Sequence, residues 1–114
     1  MVDIYHNPRC SKSRQTLALL EENGVTPNII EYLKQPPTSD TLKKLLSQLE
    51  IPARDLLRKN EAIYKELKLS DKSLSDNELV QAMAENPKLI ERPIVINNNK
   101  AKIGRPPEAV LDIL

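Results

Sequence analysis

One stretch of the sequence, His6–Arg14 ("HNPRCSKSR"), holds the only cysteine and the only histidine of the 114 residues. Cys10 follows a short apolar segment and a loop and sits where a helix is expected to begin. The first amides of a helix are unpaired and its dipole is positive there, so a thiolate is stabilised at that position. Cysteines so placed near cations ionise well below the ordinary thiol range. Arg9, Lys12 and Arg14 surround Cys10, and His6 lies four residues before it. A buried structural cysteine normally has apolar sequence neighbours; this one does not, which favours a reactive thiol. His6 either helps deprotonate Cys10 or holds its loop, or is a polar residue at a strand end. Asn7 and Ser13 either donate hydrogen bonds to the thiolate or substrate or serve as helix-end caps.

Spacing narrows the chemistry. Ser13 occupies the position of the second thiol in a Cys-x-x-Cys redox pair, so a resolving thiol must come from outside the chain. Thr16 stands where a phosphatase-type Cys-x5-Arg loop requires Arg. Three distant arginines, Arg58 ("LLRKN"), Arg92 ("ERPI") and Arg105 ("IGRPP"), would form an oxyanion site if they converged on Cys10, because guanidinium forks match tetrahedral oxyanions. Arg92 and Arg105 each precede proline, which biases them to extended backbone, and Arg92-Pro93 is a junction that can hold a cis bond.

Bulk composition excludes other classes. One cysteine allows no internal disulfide, and one histidine leaves a zinc site without its usual ligands. Seventeen basic against sixteen acidic residues give a net charge of +1, without the basic excess of a nucleic-acid binder. No apolar run approaches a membrane span, and "MVDIYHNP" does not resemble a secretory signal, so a reducing cytoplasmic setting is expected. With no Trp, no Phe and 3% aromatics, the core must be built from Leu, Ile and Val.

The elements that must position these residues read in the order β-α-β, a helical block, then β-β-α. Val2–Tyr5 is a strand; Ser11 to about Asn23 is a helix with Leu17, Leu20 and Val25 on one side, stopped by Asn23-Gly24. "NIIEYL", Asn28–Leu33, is a second strand, parallel to the first through the intervening helix. Leu42, Leu45, Leu46 and Leu49 recur at helical spacing, and Pro52 ends that helix. Ala53–Leu69 forms one or two short helices, with Leu56, Leu57, Ile63, Tyr64 and Leu67 as buried candidates. Ser75-Asp76-Asn77-Glu78 is a capping box opening a helix that bears Leu79, Val80 and Met83 and closes near Asn86-Pro87. Pro93–Asn97 and Ala101–Gly104 form a hairpin across an Asn-rich turn, and Pro106-Pro107-Glu108 opens a terminal helix. The length suits one domain.

In their order, "YHNPRCSKSR", "LLRKN", "ERPIVI" and "IGRPPEAVLDIL" resemble the glutaredoxin-coupled arsenate reductases of the ArsC type, across essentially the whole chain. The resemblance implies an α/β, thioredoxin-like fold (βαβ…ββα) for residues 1–114 with a helical insertion at about 38–87. It implies that Cys10 attacks arsenate to form a thiol–arsenate adduct. Arg58, Arg92 and Arg105 would bind the oxyanion with Asn7 nearby, His6 would tune the cysteine, and Ser13 would place a hydroxyl near the thiolate. Glutathione would act as cosubstrate and glutaredoxin as partner, with no bound cofactor or metal and no nucleic-acid or membrane partner. The chain has Arg9 and Ser11 where well-known plasmid-borne members have Ala and Gly, and it lacks their C-terminal tail. Two other functions are compatible with the same residues. One is glutathione-linked reduction of another substrate; the other is a regulator of the Spx type, whose Cys-x-x-Cys switch Ser13 would remove.

Overall fold

A computed structural model describes residues 1–114, which divide into two compact units: Met1–Gln35 with Arg92–Leu114, and Pro36–Glu91. The first unit is built on a four-stranded sheet, ordered β2-β1-β3-β4. Its strands are β1 (Asp3–Tyr5), β2 (Asn28–Ile30), β3 (Ile94–Asn97) and β4 (Lys100–Ile103). β1 pairs in parallel with β2 (Ile4 opposite Ile29) and antiparallel with β3 (Ile4 opposite Val95). Helix α1 (Ser11–Glu22) makes the crossover between β1 and β2, as a parallel pair requires. The arrangement is the thioredoxin-like sheet.

The hairpin of β3 and β4 closes with Asn97 opposite Lys100. The two residues between them, Asn98 and Asn99, have φ of 51° and 64°. Asparagine tolerates that left-handed region well, and a two-residue turn of this kind matches the strand twist. The core of this unit is Ile4, Leu20, Val95 and Val110, with Leu17, Val25 and Ile113 packed against it.

Two expected elements differ from the sequence reading. β2 stops at Ile30, because Glu31–Gln35 turns back on itself with the amides of Lys34 and Gln35 both donating to the Glu31 carbonyl at 2.9 Å. The C-terminal helix is a 3-10 helix, Pro107–Ile113, entered through prolines that supply no amide.

The second unit covers Pro36–Glu91 and contains α2 (Ser39–Leu49), α3 (Ala62–Glu66) and α4 (Asp76–Glu85), with 3-10 turns at Ala53–Leu56 and Pro87–Leu89. α2 buries Leu42, Leu45 and Leu46, is capped by Thr38 accepting from the Thr41 amide, and ends with Glu50 left-handed at φ 58°. α4 begins with the complete Ser75/Glu78 capping box and buries Leu79, Val80 and Met83. Leu67, expected in the core, is 44% exposed: α3 ends at Glu66, Lys68 turns left-handed, and Leu69 takes the buried place. Antiparallel bonds join the Arg58 amide to the Leu89 carbonyl (2.7 Å) and the Glu91 amide to the Leu56 carbonyl (2.8 Å).

Candidate active site

The loop from β1 into α1 is folded by its own polar groups. The His6 amide donates to the Ile30 carbonyl at 2.8 Å, continuing the β1/β2 ladder one residue beyond the strand. The Asn7 side-chain oxygen accepts from the Arg9 amide at 3.0 Å, an Asx turn, and the Asn7 carbonyl accepts from the Cys10 amide at 3.0 Å. Arg14 Nη1 reaches back to the Pro8 carbonyl at 3.0 Å and straps the turn to the first turn of α1. Beneath it lies Ser13, fully buried, whose Oγ accepts from the Asn7 amide at 3.0 Å and lies 2.7 Å from His6 Nδ1. Burial is the main cause that pushes His6 below its ordinary value; Glu31 opposes the shift and Arg14 reinforces it. The shift favours the neutral imidazole, and in that form the Ser13 hydroxyl can donate to Nδ1 while it receives the Asn7 amide.

Cys10 is the N-cap of α1: its backbone is extended (φ −93°, ψ 123°) and its carbonyl accepts the first helical bond, from the Arg14 amide at 3.0 Å. Its side chain closes no cap hydrogen bond. The thiol is nevertheless shifted below its ordinary value. Burial works against the charge, and it is outweighed by the Ser13 amide, the Arg92 charge, the Lys12 amide and the Arg105 charge. Arg105 Nη2 lies 3.7 Å from Cys10 Sγ, and Arg105 Nε donates to the Arg92 carbonyl at 2.9 Å. Arg105 thus reaches Cys10 directly and Arg92 acts on it through its charge, each from a strand-end loop and each followed by a cis peptide bond, Arg92-Pro93 and Arg105-Pro106.

Where the Arg105 loop meets α1, at Gly104, there is no room for a side chain. The amide of Gly104 donates to the Pro93 carbonyl at 2.9 Å. A Cβ on Gly104 would fall 2.5 Å from Thr16 Oγ1 and 2.8 Å from Pro93 Cγ. Thr16 itself is buried and bonds back to the Lys12 carbonyl at 2.8 Å. The residue that rules out a phosphatase loop therefore serves as the surface on which the Arg105 loop rests.

Of the residues singled out in the sequence, His6, Asn7, Cys10, Ser13, Arg92 and Arg105 all belong to the first unit. Arg58 belongs to the second, where its Nη1 pairs with Glu61 at 2.9 Å. Sequence reasoning did not find the strap made by Arg14, the influence of Glu31 on His6, or the role of Gly104. Only Gly104 carried a signal, as one of two glycines in the chain, set between a strand and Arg105-Pro106. No three His, Cys, Asp or Glu side chains gather where a metal ion would need them.

A cysteine at a helix N-terminus, lowered by backbone amides and faced by two arginines beside cis prolines, is a site that can be compared with known proteins. The ArsC family model matches residues 5–113. The chain belongs to the ArsC family. This ArsC-family chain is 52% identical over 114 residues to a protein of Haemophilus influenzae named arsenate reductase, covering 99% of this chain and 98% of that one. It is 60% identical over 114 residues to the uncharacterized protein YfgD of Escherichia coli, covering 99% and 96% of the two chains. A solved structure named arsenate reductase from Vibrio cholerae superposes with a TM-score of 0.98 at 57% identity, covering 99% of the ArsC-family chain described here and 97% of that one.

Proposed function

We propose that the protein reduces arsenate to arsenite, with Cys10 as nucleophile and glutathione and glutaredoxin as the external thiols. The observation that carries this reading is the approach of Arg105 Nη2 to within 3.7 Å of a Cys10 sulfur at the N-terminus of α1. A thiolate and an oxyanion repel, and their meeting requires cations and donors already in place. Arg105 and Arg92 supply the charge, and the amides of Ser13 and Lys12 favour the anionic sulfur. Cys10 attacks arsenic and an arsenate oxygen leaves as water. Two external thiols then supply the electron pair, so that one arsenate and two thiols give one arsenite, one disulfide and one water. Ser13 and His6 position the loop, and the Asn7 side-chain nitrogen can donate to the anion. Arg58 is assigned to the same anion from the family resemblance.

Support comes also from the names of relatives such as the Haemophilus influenzae protein. Purified protein supplied with glutathione, glutaredoxin and a reducing system should turn over arsenate, and Cys10→Ser should abolish turnover. No turnover by the intact protein across a wide range of arsenate concentrations overturns the substrate assignment.

A further inference from the structure

The loop that delivers Cys10 is also one wall of a cavity of about 370 Å³, whose lining includes His6, Asn7 and Arg9 on one side and Glu31, Leu33 and Lys34 on the other. That is within the size range of small-ligand sites, roughly 300–1,000 Å³. The second wall is the turn after β2, held by the Lys34 and Gln35 amides on the Glu31 carbonyl. Arg9, Glu31 and Lys34 have no part in activating Cys10 as described above. Their charges have a pattern: two cations, one carboxylate, and the exposed apolar side chain of Leu33 between. A simple oxyanion would suit the two cations but would be repelled by Glu31. A small peptide with two carboxylates and one ammonium answers all three charges. Lys34 Nζ and Glu31 Oε1 lie 3.6 Å apart with side chains 78% and 40% exposed, a pair too solvated to hold firmly, so a ligand can replace each partner at little cost.

We propose that this groove seats glutathione, with its carboxylates on Arg9 and Lys34, its ammonium on Glu31 and its thiol directed toward Cys10. The inference rests on the reading of the protein as a reductase that uses an external thiol, and it names where that thiol is held. The distance is short: the Asn7 carbonyl in the groove wall bonds the Cys10 amide at 3.0 Å. An extended tripeptide spans about 10 Å.

The test uses S-methylglutathione, which has no free thiol and so binds without reacting. Titrated into the isotope-labelled wild-type protein, it should shift the amide resonances of His6–Arg9 and Glu31–Lys34. Loss of one exposed charge partner is worth up to about 1 kcal/mol, so Lys34→Glu and Arg9→Glu should each weaken binding about fivefold or more, while Lys34→Arg restores it. Shifts confined to other segments, or wild-type affinity in both charge-reversed variants, overturn the proposal. The titration needs no arsenate, so it stands apart from the substrate assignment. Conversely, arsenate turnover by Lys34→Glu with an unchanged KM for glutathione overturns the groove and leaves the reductase reading standing.

Discussion

At Cys10 one side chain is pulled both ways by its surroundings, since burial raises the thiol and the amides of Ser13 and Lys12 with Arg92 and Arg105 lower it. The lowering side wins, so the thiolate fraction at a given pH exceeds that of a free thiol. Alkylation of Cys10 by iodoacetamide should therefore have its rate midpoint below that of an unperturbed thiol. Arg105→Ala removes a cation and should move the midpoint up; an unmoved midpoint would deny Arg105 its electrostatic role. Ser13 is the second decisive residue. Ser13→Ala leaves the Asn7 amide and His6 Nδ1 without their partner, and buried unpaired groups cost about 1–3 kcal/mol. Urea unfolding should show that loss. The candidate nucleophile was legible from its neighbours in the chain. The double use of the Ser13 hydroxyl was not, because a sequence shows which groups are polar but not which one lies beneath a turn.

Elements position these residues through close approach. Gly104→Ala would force a Cβ against Thr16 and Pro93, both of them buried, and overpacking of this kind costs about 1–3 kcal/mol. The melting temperature should fall, and Thr16→Ala in the same chain should recover part of the loss by removing the nearer atoms. In the second unit, Ser75→Ala removes one half of the capping box of α4 and should cost about 1 kcal/mol in urea unfolding. The capping box, the leucine spacing of α2 and the Asn-Asn hairpin were all readable, since each depends on residues a few positions apart. The early end of β2 and the exposure of Leu67 were not. Both follow from a backbone turn at the end of an element, with apolar residues that fitted the wrong side of the boundary.

For the molecule as a whole, the order β-α-β, helices, β-β-α was visible because parallel strands need a crossover and the final hairpin announces itself through its turn. The approach of Arg105 to Cys10 was visible only as a possibility, because the contact joins residues separated by 95 positions. Arg58 stands in the second unit, paired to Glu61, and its part is best tested by chemistry. Sulfate or arsenate should protect Cys10 from alkylation. Arg92→Ala, Arg105→Ala and Arg58→Ala should each weaken protection by about 1.5–3 kcal/mol, the worth of a hydrogen bond to a charged group. Full protection in any one variant removes that arginine from the anion site.

One consequence follows from the cap of α1. Most helices are capped by an oxygen that is always an acceptor. Here the cap is a sulfur that closes no cap hydrogen bond to the helix, and whose charged form the nearby amides favour. Because the folded protein lowers the pKa of this thiol, the stability its ionisation contributes is fully present above the unfolded thiol's pKa and is lost as the pH falls through the folded one. An uncharged adduct on the sulfur forfeits the same stability at every pH. The stability contributed by the thiolate is therefore present when Cys10 is free and is lost when the sulfur carries a neutral group such as a mixed disulfide, so the folding equilibrium of the domain distinguishes those two states of its one thiol.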